Sequence, residues 1–151
     1  MPLFRTILLS LSIFTLLAGE ATAASNSGIR TYLTAIEKDG IPSTKSSLDF
    51  ACQDRIFAIL ELDTKPKSHH KLVFLWQDPT GKVRERTQYP FTALQAHNRV
   101  WAWLKLSGGV GSVFMKWLDP NAGLDEFIGE WMIRFRLDGR EVASQRFQVL
   151  C

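Results

Sequence analysis

The run from Gly129 to Cys151 constrains the fold more than any other stretch of this chain. Trp131, Ile133, Phe135 and Leu137 alternate with Glu130, Met132, Arg134 and Arg136, the two-residue period of a strand that buries one face. Asp138-Gly139 follows, and then a second run sets Phe147, Val149 and Cys151 on one face. A two-residue loop would oppose Trp131 to Arg146 and send the two apolar sets to opposite faces. A three-residue loop, Leu137-Asp138-Gly139 with Gly139 left-handed, opposes Phe135 to Glu141 and Trp131 to Gln145. It returns Phe147 and Val149 to the face of Trp131. The pattern therefore predicts the three-residue loop, in a β-sandwich that closes on its final strand.

Upstream, the same period recurs. From Arg55 to Leu62, Ile56, Ala58, Leu60 and Leu62 share one face while Phe57 and Ile59 take the other. With both faces apolar, this is a central strand. Asp63 to Lys71 reads as a polar loop carrying Pro66 and the pair His69-His70. Leu72 to Trp76 is a further apolar run, ended by Asp78-Pro79-Thr80-Gly81, whose Pro and Gly positions suit a type I turn. Val83 to Tyr89 alternates as a half-exposed strand near an edge, and Pro90 is expected to end it. Val100 to Leu106 and Val113 to Leu118 are two more runs, separated by Ser107-Gly108-Gly109. Asp119-Pro120-Asn121-Ala122-Gly123 then forms a turn before the closing hairpin. The segment from Ile29 to Glu37 fits a short helix and an edge strand equally well. Seven strands, or eight with that segment, predict an all-β, two-sheet sandwich of immunoglobulin-like type.

Residues 1–23 stand apart from this pattern. Arg5 precedes a twelve-residue apolar run, Ile7 to Ala18, and Ala21 and Ala23 supply small residues at the −3 and −1 positions. This is the layout of a secretory leader cleaved after Ala23. A retained anchor is the alternative, but the run is shorter than the roughly 20 residues of a spanning helix. The expected organisation is thus a leader at 1–23, an N-terminal segment with a helix or edge strand at 24–49, and a β-sandwich at 50–151. The formal charge is +3, and losing Arg5 and Glu20 together leaves it unchanged. That mild basic balance suits a soluble protein among anionic surfaces and does not imply a nucleic-acid partner. Export implies a periplasmic or secreted protein with no membrane span after processing. The two cysteines, Cys52 and Cys151, are then most simply one disulfide.

Gly129-x-Trp131-x-Ile133-x-Phe135-x-x-Asp138-Gly139, with Val142-Ala143 and Phe147-x-Val149, resembles the final hairpin of exported bacterial immunoglobulin-like domains. Leu75-Trp76-Gln77-Asp78-Pro79-Thr80-Gly81-Lys82 is similar to their internal turn. The resemblance implies a scaffold used for binding or adaptor roles, and names no activity. The cysteine placement departs from the antibody pattern, because Cys151 follows the last strand instead of lying within the penultimate one.

Sites for chemistry are sparse. Adjacent residues on an extended chain point to opposite sides, so His69-His70 cannot readily chelate one ion, and His97 is the only other histidine. Asp119-x-Asn121-x-Gly123-x-Asp125-Glu126 departs from a calcium loop by placing Leu124 where the sharp-turn glycine belongs. No serine stands in a Gly-x-Ser-x-Gly setting and no triad is evident. No cofactor is implied. Among five tryptophans, Trp76 and Trp131 lie on core faces, whereas Trp101 and Trp103 alternate in phase with Arg99 and Lys105. Aromatic rings beside cations on one strand face suit a glycan or an envelope protein as partner. The alternative is that this face is covered. The expected function is a binding or adaptor module with Arg99, Trp101, Trp103 and Lys105 as its site. A hydrolase using Asp119, Asp125, Glu126 or Glu130 is the rival.

Overall fold

In the computed structural model, which describes residues 28–106 and 125–151, the regular elements are strands apart from one 3-10 turn at Asp125–Phe127. The strands are β1 (Ile29–Thr34), β2 (Glu37–Lys38), β3 (Ile41–Pro42), β4 (Asp49–Ala51), β5 (Arg55–Asp63), β6 (His69–Gln77), β7 (Val83–Thr92), β8 (His97–Lys105), β9 (Gly129–Leu137) and β10 (Arg140–Leu150). The chain is all-β. The leader, the Val113–Leu118 run and the turn from Asp119 to Gly123 lie outside the described residues. Among the described residues, no helix is long and apolar enough to cross a membrane.

Among the described residues three sheets form: β1-β5-β8, β4-β10-β9-β6-β7, and the small ribbon β2-β3. The first two share one core. Leu33, Ile56, Ala58, Leu60, Leu62, Ala102 and Leu104 of the three-stranded sheet meet Leu72, Phe74, Trp76, Trp131, Ile133, Phe135, Phe147 and Val149 of the five-stranded one. Each large apolar side chain buried there contributes about 1.5–3 kcal/mol relative to exposure. The doubly apolar β5 is central, as its sequence requires. Its other face packs Phe57 and Ile59 with Tyr32 into a second cluster, against which Trp101 is partly buried.

The ambiguous N-terminal segment is a strand. β1 pairs antiparallel with β5, and alternation drives Leu33 into the shared core while Tyr32 joins the second cluster. Two boundaries differ from expectation. His69 and His70 begin β6 instead of lying in a loop, and β7 runs through Pro90 to Thr92. Proline fits there because β7 is the edge strand of its sheet.

The closing hairpin reaches the expected facing by a different route. Arg140 opposes Leu137 across a two-residue turn in which Asp138 and Gly139 both have positive φ, 51° and 86°. This is the type I′ geometry that an Asp-Gly pair favours. The register then shifts between Glu141 and Ala143, so that Phe135 opposes Ala143 and Trp131 opposes Phe147. Val142 is the extra residue of a β-bulge, and the bulge does the work that a longer loop had been expected to do.

β4 pairs in parallel with β10, Leu150 opposite Ala51. One step further along both strands stand Cys52 and Cys151, whose Cα atoms are 5.3 Å apart in a disulfide. The bridge therefore extends a strand ladder. It indicates an oxidising, non-cytoplasmic environment.

Candidate binding face and cleft

The two-residue period of β8 sets Arg99, Trp101, Trp103 and Lys105 on one side of the three-stranded sheet, and pairing with β5 gives each a neighbour. Glu61 opposes Arg99, Ile59 opposes Trp101, Phe57 opposes Trp103 and Arg55 opposes Lys105. The four residues share a face but not a role.

Arg99 and Trp101 belong to the scaffold. Arg99 donates from Nε to the Tyr32 hydroxyl at 2.9 Å and from Nη2 to the Pro42 carbonyl at 2.6 Å. Tyr32 in turn donates to Glu61 at 2.8 Å. Burial, together with the Glu61 carboxylate it serves, pushes the Tyr32 phenol up, while Arg99 opposes that shift. Arg99 thereby clamps the β2-β3 ribbon over the sheet, with its guanidinium 5.7 Å from the Trp101 ring. Trp101 leans on the cluster of Tyr32, Phe57 and Ile59.

Trp103 and Lys105 are exposed, with Trp103 at 52%. The Arg55 guanidinium lies 5.0 Å from the centre of the Trp103 ring and is held by Glu37 at 3.1 Å. β7 and β8 are end strands of different sheets, and the gap between them is a cleft of about 370 Å³ lined by Glu85, Thr87, Trp103, Leu104 and Lys105. A smaller cavity of about 190 Å³ shares Glu85, Leu104 and Lys105 and continues towards Arg84, Phe127 and Trp131. Further along the same two strands, the Tyr89 hydroxyl donates to the Trp101 carbonyl at 2.9 Å and ties the sheets together. Burial pushes the Tyr89 phenol far up, so it stays a donor at any ordinary pH. Arg55, Glu85 and Thr87 were not singled out by the sequence, because only the pairing of β5 with β8 and the facing of β7 bring them to Trp103. The cleft offers an aromatic ring, a carboxylate, a hydroxyl and an ammonium.

Of the acidic segment, the described side chains Glu126 and Glu130 are each paired with an arginine, Glu126 with Arg84 at 3.0 Å and Glu130 with Arg146 at 3.1 Å. Asp119 and the calcium-like turn fall outside the described residues. Among the described residues, no three His, Cys, Asp or Glu side chains gather into a metal-binding group.

One constellation escaped the sequence reading. His70 Nδ1 lies 2.8 Å from Asp138 Oδ2 and its Nε2 lies 2.7 Å from Ser68 Oγ, the order of contacts in a serine triad. His70 and Asp138 are 68 residues apart along the chain, which hides it. The Ser68 hydroxyl also lies 2.5 Å from the Lys65 carbonyl. Its single proton therefore has two acceptors within reach, that carbonyl and His70 Nε2. Asp138 Oδ1 also accepts the Lys71 N–H at 2.8 Å. The His70 bond and that N–H hold the Asp138 carboxyl below its usual range. The group latches the hairpin turn to β6.

No protein-family model matches this chain, and no curated protein matches it. Among solved structures it is similar to a Pseudomonas fluorescens alkylpurine DNA glycosylase, AlkC, bound to DNA containing an abasic site analog. The TM-score is 0.45 and the identity 10%, over 82% of this chain and 31% of that one. The chain thus spans about a third of that protein's length, and a likeness this distant assigns neither family nor activity.

Proposed function

We propose that this chain is an exported, immunoglobulin-like β-sandwich that acts by binding, without catalysis, and that it takes a glycan in the cleft beside Trp103. The half-exposed Trp103 ring at the mouth of a cleft that Glu85, Thr87 and Lys105 also line carries this reading. A sugar ring offers an apolar C–H face to the indole and hydroxyls to its neighbours. Glu85 and Thr87 accept or donate hydrogen bonds there, and Lys105 donates. The proposed site is Trp103, Lys105, Arg55, Glu85 and Thr87, beside Arg99 and Trp101 on the same strand face. Support for export comes from the disulfide and from the leader-like layout of residues 1–23. Of the carboxylates that the rival hydrolase would use, Glu126 and Glu130 are each paired with an arginine.

Screening the disulfide-bonded protein against an oligosaccharide array, and then measuring the tightest ligand calorimetrically, tests this. Trp103→Ala is expected to weaken binding by about 2 kcal/mol or more, roughly 30-fold, as for a central aromatic anchor. A wild-type protein that takes no oligosaccharide, or a Trp103→Ala variant that binds as tightly, removes the proposal.

A further inference from the structure

The outer face of the five-stranded sheet carries a second surface, independent of the Trp103 cleft. Alternation along β9 points Met132, Arg134 and Arg136 away from the core that receives Trp131, Ile133 and Phe135. Register then builds two rows across that face: Arg86, Leu75, Arg134 and Ser144, then Gln88, Val73, Arg136 and Glu141. Lys71 follows on β6, opposite Pro90. Val73 belongs to neither core cluster and yet is only 5% exposed. Its cross-strand neighbours are Gln88 and Arg136.

The charges in this corner are weakly compensated. Arg86 donates to the Gln88 amide oxygen at 3.0 Å and Arg136 to the Gly139 carbonyl at 3.0 Å. Arg134 approaches Glu141 only to 4.0 Å. Lys71 adds a fourth cation. The carboxylates beside them are Glu141 and Asp138, which accepts the Lys71 N–H, while Glu130 further along β9 is paired with Arg146. The whole chain is nearly balanced, with 18 basic and 15 acidic residues. The excess is therefore local.

We propose that this face docks on an anionic phospholipid surface. Charge complementarity requires an anionic occupant, and the arrangement selects among anions. The cations spread in two dimensions over a sheet face, with the partly exposed Leu75 and Met132 between them, which matches a plane of headgroups. The described residues place no aromatic ring on this face, so it lacks the stacking platform of single-stranded nucleic-acid sites. The disulfide also puts the protein in an oxidising compartment, where membrane surfaces are at hand. Each cation held near such a surface contributes about fivefold in partition, and added salt screens the effect.

Co-sedimentation of the disulfide-bonded protein with phosphatidylglycerol–phosphatidylcholine vesicles tests this, with phosphatidylcholine vesicles as the comparison. The expected result is partition onto the anionic vesicles only, with release by salt. R86Q/R134Q/R136Q is expected to lower it on the order of 100-fold, three steps of about fivefold. The corresponding triple lysine variant retains most of it, and Trp103→Ala leaves it unchanged. If the triple glutamine variant fails to fold, R86Q/R134Q replaces it, since those two arginines bond only to side chains, with an expected loss of about 25-fold. Equal partition on neutral vesicles, or an unaltered glutamine variant, overturns the proposal. Tighter binding to duplex DNA that displaces the vesicles also overturns it and assigns the face to a nucleic acid.

Discussion

Trp131 and Phe147 face each other across the closing hairpin, ring centroids 6.1 Å apart and planes 26° from parallel. Phe147 also meets Trp76 and Phe50 edge-on, so a single register supports the aromatic centre of the core. That register depends on Val142. The two-residue turn alone would place Arg146 opposite Trp131, and the bulge moves the second strand on by one residue.

Deleting Val142 should therefore be far worse than replacing it. Val142→Ala keeps the bulge and trims a partly buried side chain, at a cost of about 1 kcal/mol. The deletion turns Phe147 and Val149 outward and Gln148 inward, exchanging several buried apolar side chains for polar ones. The deletion variant is expected to lose its cooperative melting transition by near-ultraviolet circular dichroism. A cooperative unfolding curve near that of the parent would remove the bulge from the account of the register.

The disulfide is the next link at this end of the fold. Cys52 and Cys151 continue the parallel ladder of β4 and β10, which has only three residue pairs. A ladder that short holds weakly once the covalent link is gone. Reduction, or Cys52→Ser with Cys151→Ser, is expected to cost about 2–5 kcal/mol. Amide exchange should quicken first at Gln148, whose N–H donates to the Leu48 carbonyl at the start of that ladder. An unchanged melting temperature after reduction would refute this.

The contrast between the hairpin and the β8 face shows what was legible in the sequence. Period and punctuation exposed the strands, the central position of β5 and the cysteine pair, because each depends on local order or on simple counting. The hairpin register was misread because a bulge has no signature in Glu141-Val142-Ala143 and competes with a longer turn. On β8, alternation put Arg99, Trp101, Trp103 and Lys105 on one side correctly. It carried no information about the β2-β3 ribbon, whose Pro42 carbonyl takes Arg99. The cleft residues Glu85 and Thr87 come from a different sheet, and the Ser68, His70 and Asp138 group joins two distant turns. Contacts between separate elements are what a strand pattern leaves out.

The turn after β6 yields a pH dependence. The Asp78 carboxylate is buried and accepts the Thr80 N–H at 2.9 Å, the Thr80 hydroxyl at 2.6 Å, the Lys82 N–H at 2.9 Å and the Arg84 guanidinium. Burial works to raise its pKa, and the bonds from Thr80, Arg84 and Lys82 outweigh it and bring it down to about 2. A carboxyl lowered on folding contributes stability that is fully present above its unfolded value, near 3.8, and is lost as pH falls towards about 2. Asp78→Asn is expected to cost about 1–3 kcal/mol at neutral pH and to flatten the stability profile between those two values. Denaturant titrations of both proteins across that window measure the difference. Parallel profiles would show that another group carries the acid dependence.

The two tryptophans of β8 separate scaffold from site on stability alone. Trp101 rests on Tyr32, Phe57 and Ile59 and takes the Arg99 cation at 5.7 Å, so its removal opens a gap beside two fully buried side chains. Trp101→Ala is expected to cost about 2–4 kcal/mol, somewhat below the cost at a fully enclosed site because the ring is only partly buried. Trp103 is half exposed and touches Arg55, itself held by Glu37. Trp103→Ala should cost under about 1 kcal/mol, since an exposed cation–π contact contributes roughly 0.5–1 kcal/mol. Urea unfolding, followed by far-ultraviolet circular dichroism so that loss of a fluorophore does not intrude, gives both values. Comparable large losses would mean that Trp103 is also part of the scaffold and that the cleft has lost its anchor.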